Sequence, residues 1–193
     1  MNASIVKTLL ISFIVLITAA CAYSPQQITI NPKIDTTAEH YGSGRAVSVT
    51  VEDAREEKAL GSRGGVYKDT SVITLANELD TAIARAAEAK LAVQGFNVNN
   101  PEATANMKII IEKLSYDVPE QSVGKKVMLG AILGVELTAG NETYTGRYKT
   151  NSERQTVVTP SMASNEEMIN TLLSDTLVRL FSDPKLKAFL SNI

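Results

Sequence analysis

The chain has 193 residues, with 19 Lys plus Arg against 21 Asp plus Glu and a formal net charge of −2. This near balance excludes the strong basic excess that is typical of nucleic-acid-binding proteins. With 44% hydrophobic and 21% charged residues, the composition is that of a folded domain, and one His and one Cys leave little material for a metal site or a nucleophilic triad.

The first twenty residues have the pattern of a cleaved export signal. Lys7 precedes the apolar run Leu9–Ile17, and small residues then lead to Cys21, the single cysteine. The segment Ile17-Thr18-Ala19-Ala20-Cys21 resembles a bacterial lipobox. This resemblance implies cleavage between Ala20 and Cys21 and lipidation of the Cys21 thiol.

The alternatives for this segment are an uncleaved transmembrane anchor and a buried structural cysteine. A membrane span needs about 20 apolar residues, whereas the apolar run ends by Ala22 and the polar segment 23–27 follows it. In the common sorting rule for bacterial lipoproteins, Asp after the lipidated Cys retains the protein in the inner membrane. Because Ala22 stands there, we expect a lipid anchor in the outer membrane and a domain that faces the periplasm.

Residues 21–44 are predicted to be the lipidated Cys and a tether, and residues 45–193 a single periplasmic domain. The tether holds few large apolar residues, and residues 27–30 could form a short strand near its start. Its turn-forming and polar markers are Pro25, Pro32, His40, Gly42 and Gly44.

The domain opens with a strand over Arg45–Asp53, because Val47, Val49 and Val51 alternate with polar residues. A charged, Gly-containing loop is predicted over 54–70. The apolar repeat that follows predicts a helix over Val72–Gln94, which Gly95 is placed to end.

Three strands are predicted next. In Met107–Val118 the apolar residues stand at odd positions up to Ile111 and at even positions from Leu114 onward, which indicates a bulge near Glu112. The strands Val127–Thr138 and Thr143–Glu153 flank the segment Ala139-Gly140-Asn141-Glu142, which is typical of a hairpin turn.

A final helix is predicted from a capping-box pattern at Ser164 to the stop at Asp183-Pro184, and a short helix over Lys185–Ile193. The longer of these two helices has a predicted buried stripe that comprises Met168, Ile169, Leu172, Leu173, Thr176, Leu177, Leu180 and Phe181. Together the elements predict an α+β fold: a largely antiparallel sheet of about four to five strands with two amphipathic helices packed on one face.

The chain has no phosphate-binding Gly loop, nucleophile elbow or paired-Cys spacing. We therefore predict no enzyme activity, no catalytic residue, no metal and no cofactor. His40 lacks acidic or Cys neighbours in the sequence and is interpreted as a solvated polar residue.

The densest charge cluster, residues 52–58, follows the first strand of the domain. It is interpreted as a solvated or loop-ordering segment, in which Asp53 could pair with Arg55 or with Arg63 and Gly61 could supply a special backbone angle. The candidate interaction loop consists of Asp53, Arg55, Gly61 and Arg63.

Within the apolar stretch Val127–Val135, Gly130 and Gly134 are four residues apart. In a membrane this spacing packs helices, but the stretch is too short to span and is bounded by charges. It is either a buried strand or a small apolar docking surface.

Several segments together resemble one known family. They are the lipobox at Cys21, the strand Val47–Asp53, the run Val51-Glu-Asp-Ala-Arg-Glu-Glu-Lys-Ala-Leu-Gly61, the helix end Gln94-Gly95-Phe96 and the terminal segment Leu173-Ser-Asp-Thr-Leu177. Over nearly its whole length the chain resembles the YajG family of bacterial lipoproteins. Its members are uncharacterised envelope lipoproteins, so the resemblance implies location and fold class and supplies no catalytic residues.

Two functional hypotheses remain open. The first is a non-enzymatic envelope module that binds a protein or cell-wall partner from its membrane anchor. The alternative is a carrier or sensor that holds a lipid or another small apolar ligand between sheet and helices. A roomy apolar cavity would favour the carrier, whereas a closely packed core with an exposed patch would favour the binding module.

Overall fold

The computed structural model describes residues 24–34, 40–65, 68–98, 100–119 and 125–193. The predicted signal segment 1–20 and Cys21 lie outside the described residues, so cleavage and lipidation stay predictions. Within the described ranges there are eight strands and three helices. They are β1 Gln26–Ile28, β2 Ala46–Asp53, β3 Gly61–Ser62, β4 Val72–Leu75, α1 Leu79–Val93, β5 Asn97–Val98, β6 Ala105–Asp117, β7 Lys125–Ala139, β8 Glu142–Thr156, α2 Met162–Phe181 and α3 Pro184–Asn192.

All eight described strands belong to one mixed sheet with β6 at its centre. Along one edge, β6 pairs in parallel with β2 and, at Tyr116, with β3. Along its other edge it pairs antiparallel with β7, which in turn pairs antiparallel with β8. The short strands add the parallel pairs β1–β4 and β2–β5 and the antiparallel pair β3–β4.

This topology contradicts the prediction of a largely antiparallel sheet of four to five strands with two helices. The central pair β2–β6 is parallel because α1 lies between the two strands in the sequence. This helix returns the chain to the end of the sheet at which β2 begins, so β6 runs in the same direction as β2. Three strands were missed because β3, β4 and β5 have only two to four residues each, too few to show a period; β1 overlaps the short strand expected over residues 27–30.

The predicted helix start at Val72 is also wrong. Residues 72–75 form β4, and α1 begins at Leu79. Ile73 is fully buried and pairs with Gln26 on one side and with Gly61 on the other. The β-branched side chains of β4 suit a strand, but its hydrogen-bond partners come from distant segments.

The hairpin and the bulge are confirmed. Strands β7 and β8 pair from Lys125↔Thr156 to Ala139↔Glu142 around a two-residue turn in which Gly140 has a φ of 57°. The β6–β7 pairing shifts between Ile111 and Lys113, which changes the parity of buried positions at the predicted place.

The core lies between one face of the sheet and the helices. Helix α1 packs on β2 and β5, while α2 packs on β1, β7 and β8 and α3 on α2 and β8. The stripe predicted for α2 is buried, and Leu186 and Leu190 of α3 are fully buried. On the other face of β8, side chains such as Thr145, Arg147 and Lys149 are exposed.

The described part of the predicted tether is built into the domain. Ile28 and Ile30 are buried, and β1 pairs with β4. The amide of Thr29 donates to Glu166 Oε2 at 2.7 Å, and the amide of Asn31 donates to Asn170 Oδ1 at 2.6 Å. Residues 24–34 therefore line α2 rather than form a free linker.

Helix α2 starts earlier than predicted. Its N-cap is Ser161, whose Oγ accepts from the amide of Ser164 at 3.2 Å, so Ser164 lies inside the first turn. Its end is as predicted: Asp183 caps α3 by accepting from the amide of Lys185 at 2.8 Å, and Pro184 opens that helix.

Candidate functional site

The candidate interaction loop begins with an ion pair at the end of β2. Arg55 donates from Nε to Asp53 Oδ1 at 2.8 Å and from Nη2 to Oδ2 at 2.9 Å, a bidentate geometry. Lys58 adds its Nζ 3.2 Å from Oδ2 and donates to the Asp53 carbonyl at 3.0 Å. Arg55 is only 6% exposed, so this network orders the chain that leaves β2.

The ion pair also sets the charge of the loop. Hydrogen bonding from Arg55 lowers the pKa of Asp53 to about 2. Asp53 is therefore a carboxylate across the physiological range and is not poised for acid–base chemistry, which needs a pKa near the working pH.

Gly61 and Arg63 form a second, separate part of the loop. Gly61 has a φ of 142°, and a Cβ there would lie 1.8 Å from the Tyr116 carbonyl oxygen, so no larger residue fits this approach. The Arg63 side chain is buried and donates from Nη2 to the Ser24 carbonyl. Asp53 therefore pairs with Arg55, while Arg63 binds the segment that enters the domain.

An open cleft of about 710 Å³ lies beside the ion pair, between the ends of β2 and β4 and the start of α1. A second open cleft of about 450 Å³ lies on the other side of Arg55. Glu78 lines the first cleft, and Glu56 and Glu57 line the second; all three side chains are exposed. We call Glu56, Glu57 and Glu78 the acidic rim. Lys58, which lines the first cleft, places an exposed cationic side chain beside the acidic rim.

A polar cluster that the sequence analysis missed joins β8 to α3. The hydroxyls of Tyr144 and Tyr148 lie 2.9 and 2.8 Å from Asp183 Oδ2 and 2.7 Å from each other. Gly146 lies between the tyrosines, and a Cβ there would approach the two hydroxyls to within 2.8 Å. Burial raises the pKa of Tyr148, so the hydroxyls stay neutral donors to the carboxylate.

The Tyr144–Tyr148–Asp183 cluster has a structural role, since Asp183 is also the N-cap of α3. Alternation along a strand places Tyr144 and Tyr148 on one face. Their common partner lies 35 residues beyond Tyr148 in the chain, so no local pattern indicates it.

The two glycines of the apolar stretch lie in the middle of β7. The flanking Leu129 and Leu133 are buried in the core. A Cβ at Gly130 would lie 3.1 Å from Ser115 Oγ, and one at Gly134 would lie 3.1 Å from Glu112 Oε1. Side chains of β6 thus cover the glycines, and the stretch is a buried strand rather than a docking surface.

His40 is exposed. Among the residues that the structure describes, no group of three or more His, Cys, Asp or Glu side chains is arranged to hold a metal ion. No helix in the described ranges has the length and apolar character that crossing a membrane requires.

Solved structures that are similar to this chain include the following two. One is a Xanthomonas campestris protein of the DUF330 family, with 11% identity, a TM-score of 0.49, and coverage of 81% of this chain and 91% of that one. The other is described as a candidate neuraminyllactose-binding hemagglutinin homolog from Helicobacter pylori, with 8% identity, a TM-score of 0.49, and coverage of 83% and 97%. At these TM-scores neither similarity carries a functional argument.

Among curated protein sequences, none matches the chain. The model of the Lipoprotein_16 family, described as uncharacterized lipoprotein, matches residues 32–191. That range contains the quoted strand, loop and helix segments that resemble YajG-type lipoproteins, and it confirms the resemblance. The chain belongs to the Lipoprotein_16 family of uncharacterized, YajG-type lipoproteins.

Proposed function

We propose that this protein is a lipid-anchored lipoprotein of the outer membrane, facing the periplasm, that acts without catalysis as a binding or scaffolding module for an envelope partner. Membership of a lipoprotein family supports the anchored part of the proposal. The observation that carries the binding role is the acidic rim: exposed Glu56, Glu57 and Glu78 line two clefts that lie on either side of the Asp53–Arg55 ion pair.

The rim is suited to binding because its backbone is already ordered. The bidentate ion pair fixes the turn after β2, so little loop entropy is lost when a partner docks. Around the two clefts the exposed carboxylates of Glu56, Glu57, Glu78 and Glu112 outnumber the exposed Lys58 and Lys113, which favours a partner with basic groups. Such contacts steer association and weaken as salt rises.

The linings of these two clefts suit a polar partner better than a small apolar ligand. The larger cleft is open, and charged and amide side chains such as Asp53, Lys58, Asn77 and Asp80 line it together with Val51, Leu75 and Leu79. Sites for small apolar ligands are usually concave and mostly apolar. The open shape and charged lining of these two clefts therefore favour the binding module over the carrier.

Photo-crosslinking in cells tests the binding role. A photoreactive side chain is placed at Glu57, and the matched control carries it at Thr145, which is exposed on the outer face of β8. We expect a discrete adduct from position 57 that is lost when Glu78→Lys is added or when salt is raised. The same adduct from position 145, or none from position 57, would contradict the proposal.

Metabolic labelling with a fatty-acid analogue tests the anchor. The parent chain should take up the label, and Cys21→Ser should lose it and accumulate as an unprocessed precursor. Label retained by the Ser variant would refute lipidation at Cys21.

A further inference from the structure

Three aliphatic side chains are exposed close together in the chain, around the connection between β8 and α2. Val157 is 99% exposed, Val158 72% and Met162 50%. The first two lie in the connection 157–161, and Met162 opens α2. We call Val157, Val158 and Met162 the apolar tip. Single exposed aliphatic side chains need no explanation, but here two adjacent residues and a third four positions after Val158 are exposed in one short connection, which makes it a candidate contact surface.

The start of the described chain lies at the same end of the domain. Gln26 Oε1 accepts from Asn165 Nδ2 at 2.7 Å, one turn into α2. From there the chain runs along the helix, because the amide of Lys33 donates to Ser174 Oγ at 2.9 Å. Ser24, which precedes this run, is therefore beside the N-terminal end of α2 and so near the apolar tip.

Cys21 is three residues before Ser24 in the sequence. Three residues span at most about 11 Å when fully extended. Ser24 is itself held to the domain, since its carbonyl accepts from the buried Arg63 side chain. A lipid on Cys21 therefore holds Ser24 within about 11 Å of the acylated residue, and it places the end of the domain that carries the apolar tip towards the bilayer.

We propose that the apolar tip is a second membrane contact, in which Val157, Val158 and Met162 enter the interfacial layer of the leaflet that holds the lipid on Cys21. This inference rests on the lipid anchor of the proposed function. The anchor supplies proximity, and the apolar tip then fixes the orientation of the domain. Aliphatic side chains favour the boundary between headgroups and acyl chains because apolar area leaves water there.

A docked tip would hold the acidic rim away from the bilayer. The cleft that Glu56 and Glu57 line extends along β6 from Glu112 to Ser115, and Ser115 pairs with Gly130 of β7. Gly130 is five residues from Lys125, the end of β7 nearest the tip, which corresponds to about 17 Å of strand. The two surfaces are thus separate, and their roles can be tested separately.

The experiment uses the lipidated protein in phosphatidylethanolamine–phosphatidylglycerol vesicles that carry a nitroxide quencher in the upper acyl chain. Acylation consumes Cys21, so Val157→Cys offers a single free thiol for an environment-sensitive fluorophore. The matched control is Asn141→Cys, in the exposed β7–β8 turn at the far end of the sheet. We expect several-fold stronger quenching at position 157 than at position 141, and a clear loss of that quenching when Val158→Ser and Met162→Ser are added.

Unchanged melting of the labelled variants shows that the fold is kept, as expected for exposed positions. Equal, weak quenching at positions 157 and 141 in protein that still floats with the vesicles would overturn the membrane contact and leave the anchor intact. Protection of the position-157 label from an aqueous quencher without quenching by the acyl-chain nitroxide, seen only at high protein-to-lipid ratio, would overturn it in favour of a second protein copy. Failure of the acylated protein to float with vesicles would instead contradict the anchor, and the tip contact with it.

Discussion

Helix α2 offers the sharpest test of how the domain is stabilised. Leu173 and Leu177 are fully buried on the helix face that packs on β7 and β8. Replacing a buried Leu by Ala removes its apolar contacts and leaves a cavity, at a cost of about 2–5 kcal/mol. That is a large part of a typical stability of about 5–15 kcal/mol.

For a chain of this size, each kcal/mol lowers the melting temperature by about 2–4 °C. Leu173→Ala or Leu177→Ala should therefore melt roughly 4–20 °C below the parent. Circular dichroism during heating of the purified protein measures this directly, and the transition should stay cooperative.

The control is Thr171→Ala, an exposed position on the same helix, which should change stability by no more than about 0.5 kcal/mol. Asn170 is not suitable as a control, because its Oδ1 accepts from the amide of Asn31 and its Nδ2 donates to the Thr29 carbonyl. Leu variants that melt like the parent but lose binding to an envelope partner would show that α2 is an interface and would refute the core assignment.

Three further predictions concern the polar groups and the close backbone approach. The Asp53 pKa is lowered from 3.8 to about 2, so its ion pair stabilises the fold fully above pH of about 4 and this contribution is lost as pH falls towards 2. Asp53→Asn should lower the free energy of unfolding by about 2 kcal/mol at pH 7 and by less as the pH approaches 2. Denaturant titrations at both pH values measure this difference, and an equal loss of stability at both would count against the prediction. Gly61→Ala should destabilise by more than Gly65→Ala, since both glycines have positive φ but only Gly61 faces a backbone atom; equal midpoints in urea would show that the loop moves aside. Tyr148→Phe should lower the free energy of unfolding by about 1–2 kcal/mol, because it removes the hydrogen bond to Asp183. Tyr116→Phe should be near neutral, because the buried Tyr116 hydroxyl has no hydrogen-bond partner among the described residues. The reverse order of melting temperatures would disprove this account.

Features that depend on neighbours in sequence are predictable from the chain alone. The β7–β8 hairpin follows from the turn segment Ala139-Gly140-Asn141-Glu142 between two long strand-forming runs. The bulge beside Glu112 follows from the parity change within β6. Proline at position 184 marks the junction of the last two helices because it fits the first turn of a helix but not its interior. The segments that resemble the lipoprotein family are likewise local patterns.

Features that depend on partners far away in the chain needed the tertiary structure. Residues 72–75 satisfy both strand and helix patterns, and they form β4 because β1 and β3 supply hydrogen bonds from segments distant in the sequence. The same cause makes Gln26–Ile28 a strand within the predicted tether. Ser161 rather than Ser164 caps α2, a difference of one turn that local sequence leaves open.

The candidate site shows the same division. The charges of residues 52–58 are visible in the sequence, but the choice of Arg55 over Arg63 as the partner of Asp53 depends on where the sheet places each guanidinium. The position of Ser24 beside the start of α2 depends on contacts such as that of Gln26 with Asn165, 139 residues apart. Short-range patterns determine helices, turns and bulges, because these depend on the local backbone. Pairing across the sheet depends on distant segments, because only they can supply the partners for buried hydrogen bonds and cover the apolar side chains at the same time.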